Sequence, residues 1–303
     1  MKVKASGTSN MKVLVTGGTG TVGKYVVRQL VAQGLSVTVL VRPGSQSASP
    51  PAGAISITGN LDDLGSLSNA MRDIERVFLL TPIHPMETEM GINAIKAAQS
   101  AGVQRLVYMS GYHVEEGSHI PHFQSKIAIE RQLTQAGIPY VVIRPNNFFQ
   151  NDVRFKWDIL SNGMYPMPIG TIGVNRVDAR DIADAVVNAL TQRGHEGRRY
   201  ALVGSKTLTG EAVAETYARH LRKPIVYAGD DLEAWEVQAL KVMPQWLVHN
   251  VKLMYDYYLK HGFAASSKEL AEQIEILGHP PRHFDAYVHE LTAEWTGALY
   301  EQS

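Results

Sequence analysis

Residues Met11 to Gly23, Met-Lys-Val-Leu-Val-Thr-Gly-Gly-Thr-Gly-Thr-Val-Gly, constrain this chain more than any other stretch. The apolar run Val13-Leu14-Val15 stops at a glycine cluster. A helical pattern follows, with Val22, Val26, Val27, Leu30 and Val31 on one face. Strand, glycine turn and helix in that order form the context of a dinucleotide-binding fingerprint. The glycines fit Gly17-x-x-Gly20-x-x-Gly23 or Gly18-x-Gly20-x-x-Gly23. Gly17 lets the chain turn off the strand, Gly20 leaves room for a pyrophosphate, and Gly23 lets the helix pack closely on the sheet. Thr19, Thr21, Val22 and the positive end of the helix then face the phosphates. An ordinary strand-to-helix turn without a ligand is the alternative.

The pattern continues as alternating strands and helices. Leu35 to Val41 is the expected second strand, and the residue after it discriminates between cofactors. An acidic side chain there would bind the ribose hydroxyls of NAD. This chain has Arg42, then Pro43-Gly44-Ser45. A planar guanidinium beside a small hydroxyl residue suits a 2′-phosphate, so NADP is preferred and NAD possible. The alternative is a solvated charge at a strand end. Ile55 to Thr58 is a third strand, closed by Gly59-Asn60-Leu61, and Asp62 or Asp63 caps a helix through about Met71.

Val77 to Leu80 is a fourth strand, followed by Thr81-Pro82-Ile83-His84-Pro85. In an open parallel sheet such loops line the ligand crevice, which places Thr81, Pro82 and His84 near cofactor or substrate. His84 as a base competes with a purely structural role. A helix over Met86 to Ala101 precedes a fifth strand, Leu106 to Met109, which runs into Ser110-Gly111-Tyr112-His113. A helix entered at Pro121-His122-Phe123-Gln124-Ser125-Lys126 reaches Ala136, and a sixth strand, Pro139 to Ile143, closes on Arg144-Pro145-Asn146-Asn147-Phe148-Phe149. Strands alternating with helices predict an α/β, Rossmann-type doubly wound parallel sheet.

Beyond Asn151 the pattern changes. Trp157 to Asn162 reads as helical, Met164 to Pro168 as extended, Val174 to Val177 as a strand, and Asp178 as the cap of another helix with Asp181 at its third position. A strand at Tyr200 to Val203 precedes helices at about Thr209 to His220, Asp231 to Leu240, Pro244 to His261, Ser267 to Leu277 and Phe284 to Leu299. Their aromatic residues are expected mainly in the core of a smaller, mainly helical C-terminal lobe. The domain expectation is a polar extension at 1–10, a nucleotide-binding domain at 11–203 with 146–177 contributing to the substrate lobe, and a substrate-binding lobe at 204–303.

Charge and composition exclude several function classes. Lys plus Arg and Asp plus Glu both number 29, so no net field attracts nucleic acid or an anionic membrane. The absence of cysteine excludes disulfides, thiolate nucleophiles and thiolate metal sites. No apolar run reaches the ~20 residues of a membrane span. His113, His119 and His122 match no zinc spacing, so no metal is expected. These features predict a cytoplasmic protein by default; the expected partner is a small-molecule substrate, and the expected state a monomer or homodimer.

The segments Thr16 to Gly23, Gly59-Asn60-Leu61-Asp62, Leu80-Thr81-Pro82, His122 to Lys126, Ile138 to Phe148 and Val177 to Ile182 together resemble the NmrA-like, atypical branch of the short-chain dehydrogenase/reductase superfamily. That branch includes NADPH-dependent quinone reductases, a triphenylmethane dye reductase, isoflavone-type reductases and a regulator that senses dinucleotides without reaction. The resemblance implies a dinucleotide held by the glycine loop, with Arg42 near the adenosine phosphate. It also implies that Thr81, Pro82, Lys126 and the segment Pro145, Asn146, Asn147 and Phe148 lie near the nicotinamide half. One departure matters: the superfamily's Tyr-x-x-x-Lys is here His122 and Lys126. The spacing keeps both on one helical face, and an imidazole can still donate a proton.

The expected cofactor-binding set is therefore Gly17, Thr19, Gly20, Thr21, Val22, Gly23, Arg42, Ser45, Asn60, Leu61, Thr81, Pro82, Ser110, Lys126 and Pro145 to Phe148. Lys126, His122 and Tyr112 are the catalytic candidates. His84, His113, Phe149 and Trp157 are candidates to line the acceptor. The expected activity is hydride transfer from NADPH to a flat, electron-poor quinone, dye or enone, which needs little acid assistance because the developing charge is delocalised. A non-catalytic dinucleotide sensor is the alternative. The missing tyrosine argues against a sugar-nucleotide epimerase.

Overall fold

The computed structural model describes residues 11–44 and 49–297; the extension at 1–10 and Ser45 lie outside the described residues. The first strand, β1 (Lys12–Thr16), holds Val13, Leu14 and Val15 fully buried, as a strand covered on both faces requires. It feeds α1 (Gly23–Ala32), whose buried side chains are Val26, Val27 and Leu30. There follow β2 (Ser36–Val41), β3 (Ile55–Thr58), α2 (Leu64–Ala70), β4 (Arg76–Leu80), α3 (Glu87–Ser100), β5 (Arg105–Met109), α4 (Pro121–Gln135) and β6 (Tyr140–Pro145). After β7 (Met164–Tyr165) and α5 (Ala179–Thr191) comes β8 (Arg199–Leu202).

The main sheet has the order β3-β2-β1-β4-β5-β6-β8. Adjacent pairs from β3 to β6 are parallel, with Leu14 beside Thr38 on one side and Val77 on the other. This is the doubly wound topology expected from the alternation. Its strand order reverses between β1 and β4, the switch point at which such sheets open a crevice beyond the strand ends. Thr16 joins those two strands at that point. Its buried hydroxyl donates to the Leu80 carbonyl at 2.9 Å and accepts the Leu80 N–H at 2.7 Å.

The chain divides into two compact units that interleave along the sequence. The first takes the described residues to Ser110, with Ala128–Ile143 and Ala183–Arg199. The second takes Gly111–Ile127, Arg144–Ile182 and the residues from Tyr200. Residues 111–127 thus belong with the second unit, a partition that the expected boundary at 203 does not contain. Leu14, Val77, Leu79, Ile95, Leu106, Ile129 and Val142 belong to the core of the first unit.

The second unit contains α6 (Gly210–Leu221), β9 (Val226–Tyr227), α7 (Leu232–Ala239), α8 (Gln245–His261), α9 (Ser267–Leu277) and α10 (Phe284–Thr296). Tyr165, Tyr217, Tyr255, Tyr258, Phe263 and Phe284 pack in its core, which bears out an aromatic interior. Embedded there is Arg176, with no exposed surface, whose guanidinium nitrogens lie 3.0 and 2.8 Å from the two carboxylate oxygens of equally buried Asp152. Burial lowers the arginine's pKa, but the Asp152 carboxylate together with Tyr165 and Tyr217 outweighs it, and the net direction is upward.

One local expectation is corrected. Residues 174–177 form isolated bridges and not a strand, because successive N–H groups go to different partners: Val174 to Leu208, Asn175 to Phe263 and Val177 to Asn147. The helical segment expected over Trp157 to Asn162 is present, ending in one π-helical turn, Asp158–Asn162, stopped by left-handed Gly163, and it follows a 3-10 segment over Phe149–Phe155.

Candidate functional site

In the first unit the glycine loop is built by three different steric demands. Gly17 sits at φ +65°, where a side chain would be strained, and this turns the chain off β1. The Gly20 N–H returns to the Gly17 carbonyl at 3.0 Å, which tightens the loop. A Cβ on Gly23 would lie 2.1 Å from that same carbonyl oxygen, so only glycine fits. Close packing onto the sheet falls instead to Gly18, whose added Cβ would meet Val39 Cγ1 at 2.7 Å and Val27 Cγ2 at 3.2 Å. The task expected of Gly23 therefore belongs to Gly18.

Thr19, Gly20 and Thr21 are exposed at the loop tip, and Val22 is buried beneath it. Val22 stands at the N-cap of α1 and offers no side-chain cap. Among the described residues, the N–H groups of Thr21 and Val22 donate to no backbone carbonyl. An uncapped helix N-terminus behind such groups is chemically suited to an anion.

The other strand ends of this unit differ from one another. Arg42 follows β2, is exposed, and forms no ion pair with any described residue. The Asn60 N–H donates to Ser66 Oγ at 3.0 Å, Leu61 is nearly buried, and Asp63 supplies the α2 cap by accepting from Gly65 and Ser66. Thr81 is buried, and its hydroxyl donates to Glu87 Oε1 at 2.7 Å, while Pro82 is exposed. His84 Nδ1 accepts the Met86 N–H at 3.2 Å, pinning the start of α3. At the end of β5, Ser110 is buried, its N–H donates to the Ile143 carbonyl, and its Oγ has no hydrogen-bond partner among the described residues. An unpartnered buried hydroxyl is costly unless something satisfies it.

In the second unit, Tyr112 and His113 are organised by an acid in α9. Tyr112 is buried, with its hydroxyl 3.0 Å from Glu269 Oε2 and 3.1 Å from the Ala264 carbonyl. Burial, then the Glu269 charge, push its pKa well up. This phenol is packed and hydrogen-bonded between α9 and the Ala264 carbonyl. His113 stacks on the Tyr112 ring at 3.9 Å and 18°, and its Nε2 donates to Glu269 Oε1 at 2.8 Å.

Glu269 also receives the Ser266 N–H at 2.9 Å and the Ser266 hydroxyl at 2.7 Å, in a capping box that starts α9. Burial raises its pKa, but these hydrogen bonds outweigh burial and hold it below the ordinary range. Nothing in the sequence marks Glu269 as part of a site. The Ser-x-x-Glu signature marks only a helix start.

On α4, the His122 N–H donates to Asn250 Oδ1 at 3.0 Å, and Lys126 is buried one turn later. Pro145 is buried and its carbonyl accepts the Tyr112 N–H. Asn146 Nδ2 donates to the Phe263 carbonyl at 2.9 Å, Asn147 Oδ1 accepts from Arg176 Nε at 3.0 Å, and the Phe148 carbonyl accepts from the same guanidinium. Phe149 is corrected to a core residue, packed on Phe284 and Tyr287, because its side chain is almost wholly enclosed. Trp157 is 71% exposed.

Together, the switch-point crevice, the glycine loop and the reversal of strand order define a Rossmann-type α/β protein. A family model described as the NmrA-like family matches residues 9–288, and the chain belongs to that family. It is 31% identical over 245 residues to an NAD(P)H azoreductase of Xenophilus azovorans, covering 80% of this chain and 86% of the relative. A structure of the NADPH-dependent quinone oxidoreductase QOR2 of Escherichia coli complexed with NADPH superposes with TM-score 0.80 at 22% identity, over 92% of this chain and 99% of the other. The Citrobacter sp. triphenylmethane reductase complexed with NADP(H) superposes with TM-score 0.78 at 22% identity, over 93% and 99%. No helix among the described residues is long and apolar enough to cross a membrane.

Proposed function

We propose that this protein is an NADPH-dependent reductase of quinone, dye or enone acceptors. The observation that carries the proposal is the loop from Gly17 to Gly23: positive φ at Gly17, no space for a side chain at Gly23, and N–H groups at Thr21 and Val22 that donate to no backbone carbonyl among the described residues, before an uncapped helix. That combination fits a pyrophosphate. The orphaned hydroxyl of Ser110 is a second observation favouring a polar ligand.

Exposed Arg42 would take the 2′-phosphate, and Asn60 and Leu61 would flank the adenosine. Bound there, the cofactor supplies a hydride. The named activity of the azoreductase relative, which this chain matches over most of its length, supports an electron-poor acceptor. The absence of tyrosine at His122 is compatible with acceptors that delocalise the charge they receive.

Calorimetric titration with NADPH and NADH tests the cofactor assignment. NADPH binds more tightly, and Arg42→Asp erases the preference. Equal affinity of the unaltered protein for both would remove Arg42 from the site. Oxidation of NADPH in the presence of quinones and dyes tests the reaction. Tight binding without turnover of any acceptor would favour a dinucleotide sensor.

A further inference from the structure

We infer that Ile83 and Met86, on the loop after β4, form the apolar face against which a flat acceptor lies, with His84 as their positioning residue. The inference rests on the reductase function proposed above, and every residue in it belongs to the first unit. β4 flanks the switch point, and its end is tied to the end of β1 through Thr16 and Leu80. An added Cβ on Gly17 would lie 3.1 Å from Leu80 Cδ2, so the loop after β4 leaves the sheet beside the glycine loop. A dinucleotide seated on the glycine loop spans the point where strand order reverses. Its adenosine half would fall on the side of β2 and β3, where Arg42 and Asn60 stand, which leaves the nicotinamide half for the side of β4.

The loop is pinned at its base and exposed at its tip. The buried Thr81 hydroxyl donates to buried Glu87 Oε1 at 2.7 Å and closes the two ends of the loop on each other. His84 makes the turn between them. Its Nδ1 accepts the Met86 N–H at 3.2 Å, and its carbonyl accepts the Glu87 N–H at 2.9 Å. Pro82 and Pro85 fix two further backbone angles. All five residues from Pro82 to Met86 are nonetheless exposed, and all but His84 are apolar. Ile83 keeps 46% of its surface and Met86 41%. Single apolar residues on a surface need no explanation, but a run of them held in one conformation beside a ligand crevice does. A flat ring system covers such side chains without having to order a mobile loop, so little entropy opposes its binding. Neither side chain carries a charge or an acidic proton, so their part is binding and not proton transfer.

Steady-state kinetics with NADPH and two quinones that differ by one ring, benzoquinone and menadione, provide the test. Ile83→Thr and Met86→Gln raise KM for menadione by about 10-fold and for benzoquinone by about 3-fold, since the smaller ring buries less apolar area. The change falls on KM because the contact is the same before and during hydride transfer. Ile55→Thr is the control: Ile55 is 65% exposed but opens β3, at the other end of the sheet from the crevice. His84→Ala raises KM as the loop variants do, and His84→Asn, whose Oδ1 can take the place of Nδ1 as acceptor, restores it. A readout without turnover is methyl 13C NMR of the methionines in protein loaded with oxidised NADP. Menadione shifts the Met86 signal, which Met86→Leu assigns. NADPH titration of each variant verifies that the cofactor site is intact.

The inference is wrong if menadione is reduced while the Met86 signal stays in place, or if both loop variants keep the KM of the Ile55→Thr control. It is equally wrong if Ile83→Thr turns a dimer into a monomer at unaltered KM, which would assign the loop to an interface between two copies. A protein that reduces a dye but neither quinone also overturns it. If His84→Asn is no better than His84→Ala, His84 is not the positioning residue. An unaltered protein that binds NADPH but turns over no quinone, dye or enone overturns the reductase proposal itself, and this inference with it.

Discussion

At the scale of single residues, sterics and hydrogen bonds make the sharpest demands. Gly23→Ala pushes a methyl group onto the Gly17 carbonyl, a backbone atom that cannot move aside like a flexible side chain. We expect a loss of about 1–3 kcal/mol, seen as a lower urea midpoint at unchanged m-value, together with weaker NADPH binding. A variant as stable as the parent would show that the loop relaxes.

Glu269 sets a pH dependence. Its native pKa lies below the unfolded value, so its stabilisation is complete above the usual range, near pH ~4.3, and is lost as pH falls through the lower native value. Glu269→Gln should flatten that acid limb of the stability curve. An unchanged limb would place its cause in other carboxylates.

At the scale of elements, buried charge decides more than helix propensity. Arg176 ties the 3-10 segment to β7 and α6 through Asp152, Tyr165 and Tyr217, all buried. Asp152→Asn leaves a guanidinium charge uncompensated in an apolar interior, and the expected cost is about 3–5 kcal/mol in chemical denaturation. Replacing both charges, Asp152→Leu with Arg176→Met, should cost less than that single change, because no lone charge remains. A double variant worse than the single one would show that the ion pair itself stabilises the fold. The cap of α9 is a smaller lever: Ser266→Ala should cost about 1 kcal/mol, read as a shift in denaturation midpoint.

For the whole molecule, ligand linkage is the global readout. If the cradle after β1 holds NADPH, a concentration 100 times Kd adds about 2.7 kcal/mol to folding stability. Melting curves should therefore rise with NADPH and rise less with equal NADH. No shift at saturating NADPH would count against the cradle.

The alternation of strand and helix, the sheet class, the glycine loop and most helix bounds were legible in the sequence because they depend on local periodicity and capping. For α9 the expected and observed bounds coincide at Ser267–Leu277, since both its Ser-x-x-Glu start and its Gly278 stop are local signals. Residues 111–127 and 174–177 were less legible, because their partners are remote in sequence. The tertiary fold alone set which glycine packs on the sheet, that Tyr112 spends its hydroxyl on Glu269, and that Arg176 is buried against Asp152. Each depends on contacts whose geometry no period or spacing encodes. Backbone preference and amphipathic pattern act over a few residues, whereas hydrogen-bond partners and buried charge pairs are chosen only once distant segments have met.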